Sequence, residues 1–391
     1  MSIAIAIFGL AVLILIHEAG HFFAAKAVGM NPRKFYIGFP PALVKTNRGG
    51  VEYGIGAIPL GGYVKIPGMH RAAAGDLRGS LKEEDQEALA PELDRLDAAL
   101  EVGDEETARS LLPALEARLG NNRMLQELDG SLADDAYWRQ KSWKRIVVIG
   151  AGPFVNLVCA LILFAAVFMT VSQLPSRTVA LIEKGHPAAT AGLKAGDKIV
   201  LIAGRPVKAN TLPDQINATH GRPVLLTVVR KGKRLQLGPV RAKLDQGRYR
   251  IGIEIKGING PGKSLPAASR EAVHETWFIV DGEVKGIAQL FVGKGTKDVS
   301  STVGIVRDTA QAYRVSLADY FYVLGFISLA LAILNMLPIL PLDGGHIVMS
   351  LLEHVRGRAF SQLAYLRYSA VGVTLLLFLF SIGIRNDHLV P

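Results

Sequence analysis

The sequence predicts a multi-pass α-helical membrane protein with four spans, a membrane-associated β-hairpin and a separate, mostly β module. Three observations carry this reading. Half of the 391 residues are apolar, charge is missing from four long windows, and strand-like runs fill the stretch between the second and third windows. A helix needs about 20 mostly apolar residues to cross a bilayer. The uncharged windows cover 1–16, 146–176, 320–342 and 368–384. A disordered chain is excluded, because disorder needs low hydrophobicity with high net charge. A single cysteine, Cys159, excludes a disulfide scaffold and a cysteine-built metal cluster. The net charge of +10 does not point to nucleic acid, because it is divided along the chain. Residues 76–135 hold 17 Asp/Glu against 6 Lys/Arg, whereas 177–256 hold 16 Lys/Arg against 5 Asp/Glu. That is not one basic groove.

The first window must extend past residue 16 to span, so its helix carries His17, Glu18 and His21. A cleaved signal peptide would need a basic start, yet no Lys or Arg precedes Lys26. The segment therefore reads as a retained span. Basic residues near the span ends set the topology. Lys26, Arg33 and Lys34, then Arg139, Lys141, Lys144 and Arg145, then Arg356, Arg358 and Arg367 fall on one side if there are four spans. That side should be cytoplasmic, with 177–319 outside.

The remaining elements follow in order. Residues 50–66 are too apolar for an ordinary loop and too rich in glycine for a helix. They read as a hairpin, either shielded by protein within the membrane or lying on the surface. Residues 82–119 read as an acidic helical hairpin turning at Gly103-Asp104, with leucines at helical spacing and a kink at Pro113. Strands are expected at Val179–Ile182, Lys198–Ile202, 225–229 and 250–255, with a short helix in 212–219. The expected organisation is 1–69 for the first span and hairpin, 70–135 for the acidic insert, and 136–176 for the second span. The β module then takes 177–258, a linker with amphipathic helices 259–319, and the last two spans 320–391.

Chemistry concentrates at His17-Glu18-Ala19-Gly20-His21, a His-Glu-x-x-His pattern. Two imidazoles four residues apart project from one face of a helix and can share one Zn²⁺, while the Glu between them can take a proton from water. With 9 His and 17 Glu in the chain, chance gives about 0.01 such matches. Packed histidines are a poor alternative, because ionisable groups inside a span are costly and usually functional. A catalytic zinc keeps three protein ligands and one open position. Asp343, a carboxylate at the boundary of the third window followed by Gly344 and Gly345, suits the third ligand; the alternative is a helix-terminal Asp beside a turn.

These residues resemble the site-2 protease family of intramembrane zinc metalloproteases, of the bacterial regulator-of-sigma-E protease type. The resemblance covers nearly the whole chain except 70–135. It makes Glu18 the catalytic base and His17, His21 and Asp343 the zinc ligands, the last through the 335–345 element Asn-x-x-Pro-x-x-x-Leu-Asp-Gly. It implies that Ile58, Pro59, Leu60, Gly61 and Gly62 belong to a membrane-associated hairpin that pairs with unwound substrate, and that Asn335 holds substrate backbone. Gly152-Pro-Phe-Val-Asn156 is similar to the family's second-span motif, with Asn156 itself reading as a packing amide. Residues 185–197 are similar to a PDZ domain in circularly permuted order.

The implied activity is hydrolysis within transmembrane helices of proteins such as anti-sigma factors or remnant signal peptides. The implied place is a bacterial inner membrane, with peptide tails at an extracytoplasmic PDZ domain. Two departures stand out: Ser300-Ser-Thr-Val-Gly-Ile305 differs from the family's usual Ser-Gly-Pro-Val-Gly-Ile, and the acidic insert has no counterpart. A PDZ-bearing scaffold without catalysis is the rival, and it would need a broken metal site. A zinc transporter would want more His and acidic groups within its spans.

Overall fold

Each of the four uncharged windows falls mostly on a helix long and apolar enough to cross a membrane. The computed structural model describes residues 1–391 apart from 121, 175, 184, 209–210, 246–247, 292–300, 361 and 390–391. The chain divides into two compact units, Met1–Val167 with Ala268–Pro391, and Phe168–Ala267.

Helix α1 (Ser2–Ala27) is followed by a long hairpin, β1 (Lys34–Arg48) and β2 (Val51–Lys65). Gly49 and Gly50 make its turn with φ of +58° and +77°, the pairing of positive angles that a tight two-residue hairpin demands. The expected hairpin at 50–66 is corrected here. That stretch is a single strand, and its partner is 34–48, which Pro40 and Pro41 hide from a reading by alternation. The sheet also curls, since 34–37 pairs on one side with 52–55 and on the other with 62–65. The aromatic ring of Phe22 on α1 meets Phe35 and Tyr53 at 5.2 and 6.0 Å, fixing the sheet against the first span.

Among its described residues the insert has four α-helices, α2 (Glu83–Ala88), α3 (Ala90–Val102), α4 (Glu105–Leu119) and α5 (Arg123–Leu132). The turn falls where expected: Gly103 closes α3 at φ +75°, and Asp104 accepts the Thr107 amide to cap α4. One feature differs from a simple hairpin: beyond α4, whose run includes Pro113, α5 adds a further layer capped by Asn122, which accepts the Met124 and Leu125 amides. Leu93, Leu96, Leu112, Leu115, Leu125 and Leu128 close a core of its own. Helix α6 (Ser142–Thr170) is the second span.

The second unit begins with β3 (Val171–Leu174), then β4 (Val179–Ile182), α7 (Pro187–Thr190), β5 (Lys198–Ile202) and β6 (Arg205–Pro206). Helix α8 (Leu212–Asn217), β7 (Pro223–Arg230), β8 (Lys233–Arg241), β9 (Lys243–Asp245), β10 (Arg248–Arg250), β11 (Ile253–Ile255) and β12 (Ile258–Pro261) complete it. Strands run in the order β6-β5-β7-β8 in the main sheet, β4 pairs β11, and β3 pairs β12 as a stem. The expected strand at 250–255 is split at Ile251-Gly252, where Gly252 has φ +72°. Beside that break, a cleft of about 320 Å³ opens between α8 and β11, lined by Leu212, Ile216, Ile251 and Ile253.

In the same unit Asp197 is fully buried and receives Arg230 Nε and Nη2 at 2.7 Å each, together with the Lys194 amide at 2.9 Å. Burial pushes its carboxyl up, but the guanidinium and the amide outweigh this and hold it below the ordinary carboxylate range. The folded value is therefore below the unfolded one. The stabilisation should be fully present above the unfolded value of about 3.9 and be lost as pH falls through the folded value. Hydrogen exchange at the β5 amides of the full chain should accelerate below about pH 4, and Asp197→Asn should remove that pH step; a step that survives the substitution contradicts the assignment.

The first unit resumes with α9 (Leu265–Phe291) and α10 (Thr302–Val315), both within the 259–319 linker. Ser300 lies outside the described residues, whereas Ser301 caps α10 by accepting the Val303 and Gly304 amides. Helix α11 (Leu317–Asn335), α12 (Asp343–Arg356) and α13 (Gln362–Leu389) end the chain. The third span stops at Asn335, short of its uncharged window, because Pro338 and Pro341 cannot continue a helix.

Candidate metal centre

His17 and His21 stand one turn apart on the same side of α1, with rings edge-on at 4.8 Å. Both are buried, at 8% and 7% exposure, on a mostly apolar helix. Asp343 reaches them from the other end of the sequence. The turn after α11 folds back so tightly that a Cβ on Gly344 would lie 2.3 Å from the Met336 carbonyl oxygen. On Gly345 it would lie 2.4 Å from the Leu340 nitrogen. This turn makes Asp343 the first residue of α12, where a carboxylate also favours the helix dipole. Further along α12, Glu353 forms a buried ion pair with Arg145 of α6, and Ser350 Oγ lies 3.1 Å from the Tyr137 hydroxyl. The helix that presents Asp343 is thus tied to the second span.

The three acceptor atoms form a nearly equilateral triangle. His17 Nε2 is 3.2 Å from His21 Nε2, and Asp343 Oδ2 is 3.2 and 3.4 Å from the two. Ligands about 2.0 Å from a tetrahedral zinc are separated by about 3.3 Å, so the triangle has the size of one tetrahedral face. Asp343 Oδ2 is buried, and no well-aligned hydrogen bond satisfies it despite these short approaches. A buried carboxylate oxygen so placed suits a cation. Among the described residues these are the only three His, Cys or acidic side chains that bring ligating atoms together in this way. His346, one turn beyond Asp343, does not join them; its ring stacks on Tyr365 at 6.0 Å.

One stripe of α6 builds the wall behind the imidazoles. Val148, Gly152 and Asn156 are spaced four residues apart and share a helix face. Gly152 lets the helices close, since a Cβ there would lie 2.4 Å from His21 Nε2 and 2.8 Å from His17 Cε1. Gly20 does the same from α1, with its would-be Cβ 2.7 Å from the Ala151 carbonyl oxygen. One turn back, His21 Nδ1 donates to the Val148 carbonyl at 2.8 Å, which leaves the Nε2 lone pair free on the metal side. One turn forward, the Asn156 amide lies 3.2 Å from His17 Nδ1. Sequence reasoning missed this wall; the four-residue spacing of Gly152 and Asn156 was the signal that could have found it.

Glu18 packs against the sheet, where a Cβ on Gly62 would lie 2.2 Å from its Cγ. Ile58, Pro59, Leu60, Gly61 and Gly62 all lie on β2. The side chains of residues 58–60 lie outside the described residues. Asn335 ends α11 with Nδ2 donating to the Leu331 carbonyl of its own helix at 3.0 Å.

Known proteins are similar to this chain over most of its length. It is 27% identical to the metalloprotease MmpA of Caulobacter vibrioides, over 90% of this chain and 86% of that protein. The zinc metalloprotease Rip1 of Mycobacterium tuberculosis is also 27% identical, with the same coverage. The profile of peptidase family M50 matches residues 5–379. With the match running from the first span to the last, the chain belongs to peptidase family M50, the site-2 protease family.

Proposed function

We propose that this protein hydrolyses peptide bonds within transmembrane segments of other membrane proteins, with His17, His21 and Asp343 as the zinc ligands and Glu18 as the proton acceptor. The observation that carries this reading is the buried triangle of Nε2, Nε2 and Oδ2 beside Glu18. When bound, zinc supplies Lewis acidity to a carbonyl oxygen and lowers the pKa of water. A Glu18 carboxylate oxygen accepts the proton of the attacking water and returns it to the leaving amine nitrogen. The helix holds Glu18 between the two ligands, and Gly62 leaves room for its side chain.

A substrate helix hides its carbonyls in its own hydrogen bonds, so it must unwind before it is cut. Residues 58–62 offer a strand along which the unwound segment pairs, exchanging internal bonds for bonds to β2. Asn335, at the end of α11, has its Oδ1 left to accept from substrate backbone. The 177–258 module is read as a PDZ domain whose cleft beside Ile251-Gly252 takes peptide tails and limits access by bulky substrates. The basic clusters at the span ends support a site near the cytoplasmic face of a bacterial inner membrane, with the PDZ domain outside. Anti-sigma factors and remnant signal peptides fit such a protease. Four intact site residues weigh against the catalytically inactive scaffold.

The test is where the cut falls. Incubated with a single-span substrate in detergent or liposomes, the protein should give fragments whose new termini, read by mass spectrometry, lie inside the apolar stretch. Cleavage confined to the soluble flanks would overturn the proposal.

A further inference from the structure

The geometry points to Asn156 as a positioning residue for the metal centre, its side-chain oxygen accepting the Nδ1 proton of His17 and thereby fixing the tautomer whose Nε2 faces the ion. Asn156 is fully buried on α6, and its amide lies 3.2 Å from His17 Nδ1. The sense of that bond follows from chemistry. Neutral imidazole carries one proton, and a ring nitrogen that binds a metal must offer its lone pair. His17 Nε2 lies in the triangle with His21 and Asp343, so Nδ1 is left to carry the proton, and its partner must accept. Asparagine can present either its oxygen or its nitrogen, which are nearly equal in size and exchange by a half-turn of the amide. The Val148 carbonyl gives His21 the same treatment at 2.8 Å. A backbone oxygen therefore orients one ligand and a side-chain oxygen the other.

Packing alone does not account for a polar group at this place. One polar atom of the amide is buried without a hydrogen-bond partner. An apolar side chain of similar size would avoid that cost. What holds α6 to the third span at this level is the backbone: Ser328 Oγ donates to the Asn156 carbonyl at 2.8 Å, a bond that survives any substitution of the side chain. The amide side chain is thus free of the helix-packing role, and its polar contact is the one with His17.

The inference rests on His17 being a zinc ligand through Nε2, and the experiment separates the two claims. Zinc affinity of the full-length protein in detergent is measured by competition with a chromogenic chelator, for wild type, Asn156→Asp and Asn156→Leu. Aspartate keeps the accepting oxygen and cannot donate when ionised, so Asn156→Asp should hold zinc at least as tightly as wild type. Leucine removes the acceptor, and zinc affinity should fall about 10–100-fold, with the helical circular dichroism unchanged. Should Asn156→Leu fail to assemble, Asn156→Ala carries the same expectation, since alanine is the best helix former and smaller than the site. Equal affinity in wild type and the Leu or Ala variant overturns the inference, as does equal loss in the Asp and Leu variants. A wild type that binds no zinc overturns the ligand assignment itself.

Discussion

Replacing Glu18 by Gln should abolish cleavage of a transmembrane substrate while zinc stays bound. The amide keeps the shape of the carboxylate and leaves both imidazoles and Asp343 untouched, so the triangle of ligating atoms persists. Glutamine cannot take a proton from water at neutral pH, so the general-base contribution, typically about 10²–10⁴-fold, is lost. The contact with Gly62 is preserved as well, because only the end of the side chain changes. Zinc content by mass spectrometry and turnover of a single-span substrate should therefore separate cleanly in this variant. Near-normal turnover would mean that another group moves the proton. Loss of zinc together with activity would make Glu18 structural instead.

His17→Ala should behave differently, losing metal and activity together. It removes one of three protein ligands from a buried site, and it leaves Asp343 Oδ2 facing His21 alone across 3.4 Å. Two ligands do not make the three-ligand set of a catalytic zinc site. The pairing of α1 with α6 should outlast the change, because Gly20 still meets the Ala151 carbonyl and His21 still donates to the Val148 carbonyl. The expected result is a folded protein with about tenfold or greater loss of zinc affinity and no detectable cleavage. Retention of a full equivalent of zinc by His17→Ala would remove this residue from the ligand set.

What could be read from the residues depended on how local the signal was. His17, Glu18 and His21 form a pattern within one helical turn, so sequence alone brings them together. The four spans were equally legible, because absence of charge over about 20 residues is sufficient for a membrane helix. Asp343 lies more than three hundred residues away, and composition made it only a suitable carboxylate at a span boundary; its place beside the histidines came through the family resemblance. Strand β1 was missed because its two prolines break the alternation that marks a strand, although Gly49-Gly50 was a visible turn signal. Helix α5 was missed because Gly130 weakens its pattern, while Asn122 was a cap in plain view. The wall of Val148, Gly152 and Asn156 uses a carbonyl, an absent side chain and an amide. None of these looks like a metal site until the helices are packed.

The central claim is that one zinc is held by two imidazoles and one carboxylate, with no sulfur. Zinc-edge X-ray absorption on the full-length protein measures this directly. The expected spectrum has four light-atom neighbours at about 2.0–2.1 Å and outer-shell scattering from two imidazole rings, reduced to one in His21→Ala if any metal remains. A sulfur neighbour at about 2.3 Å, or a wild-type spectrum without the two-imidazole signature, would contradict it.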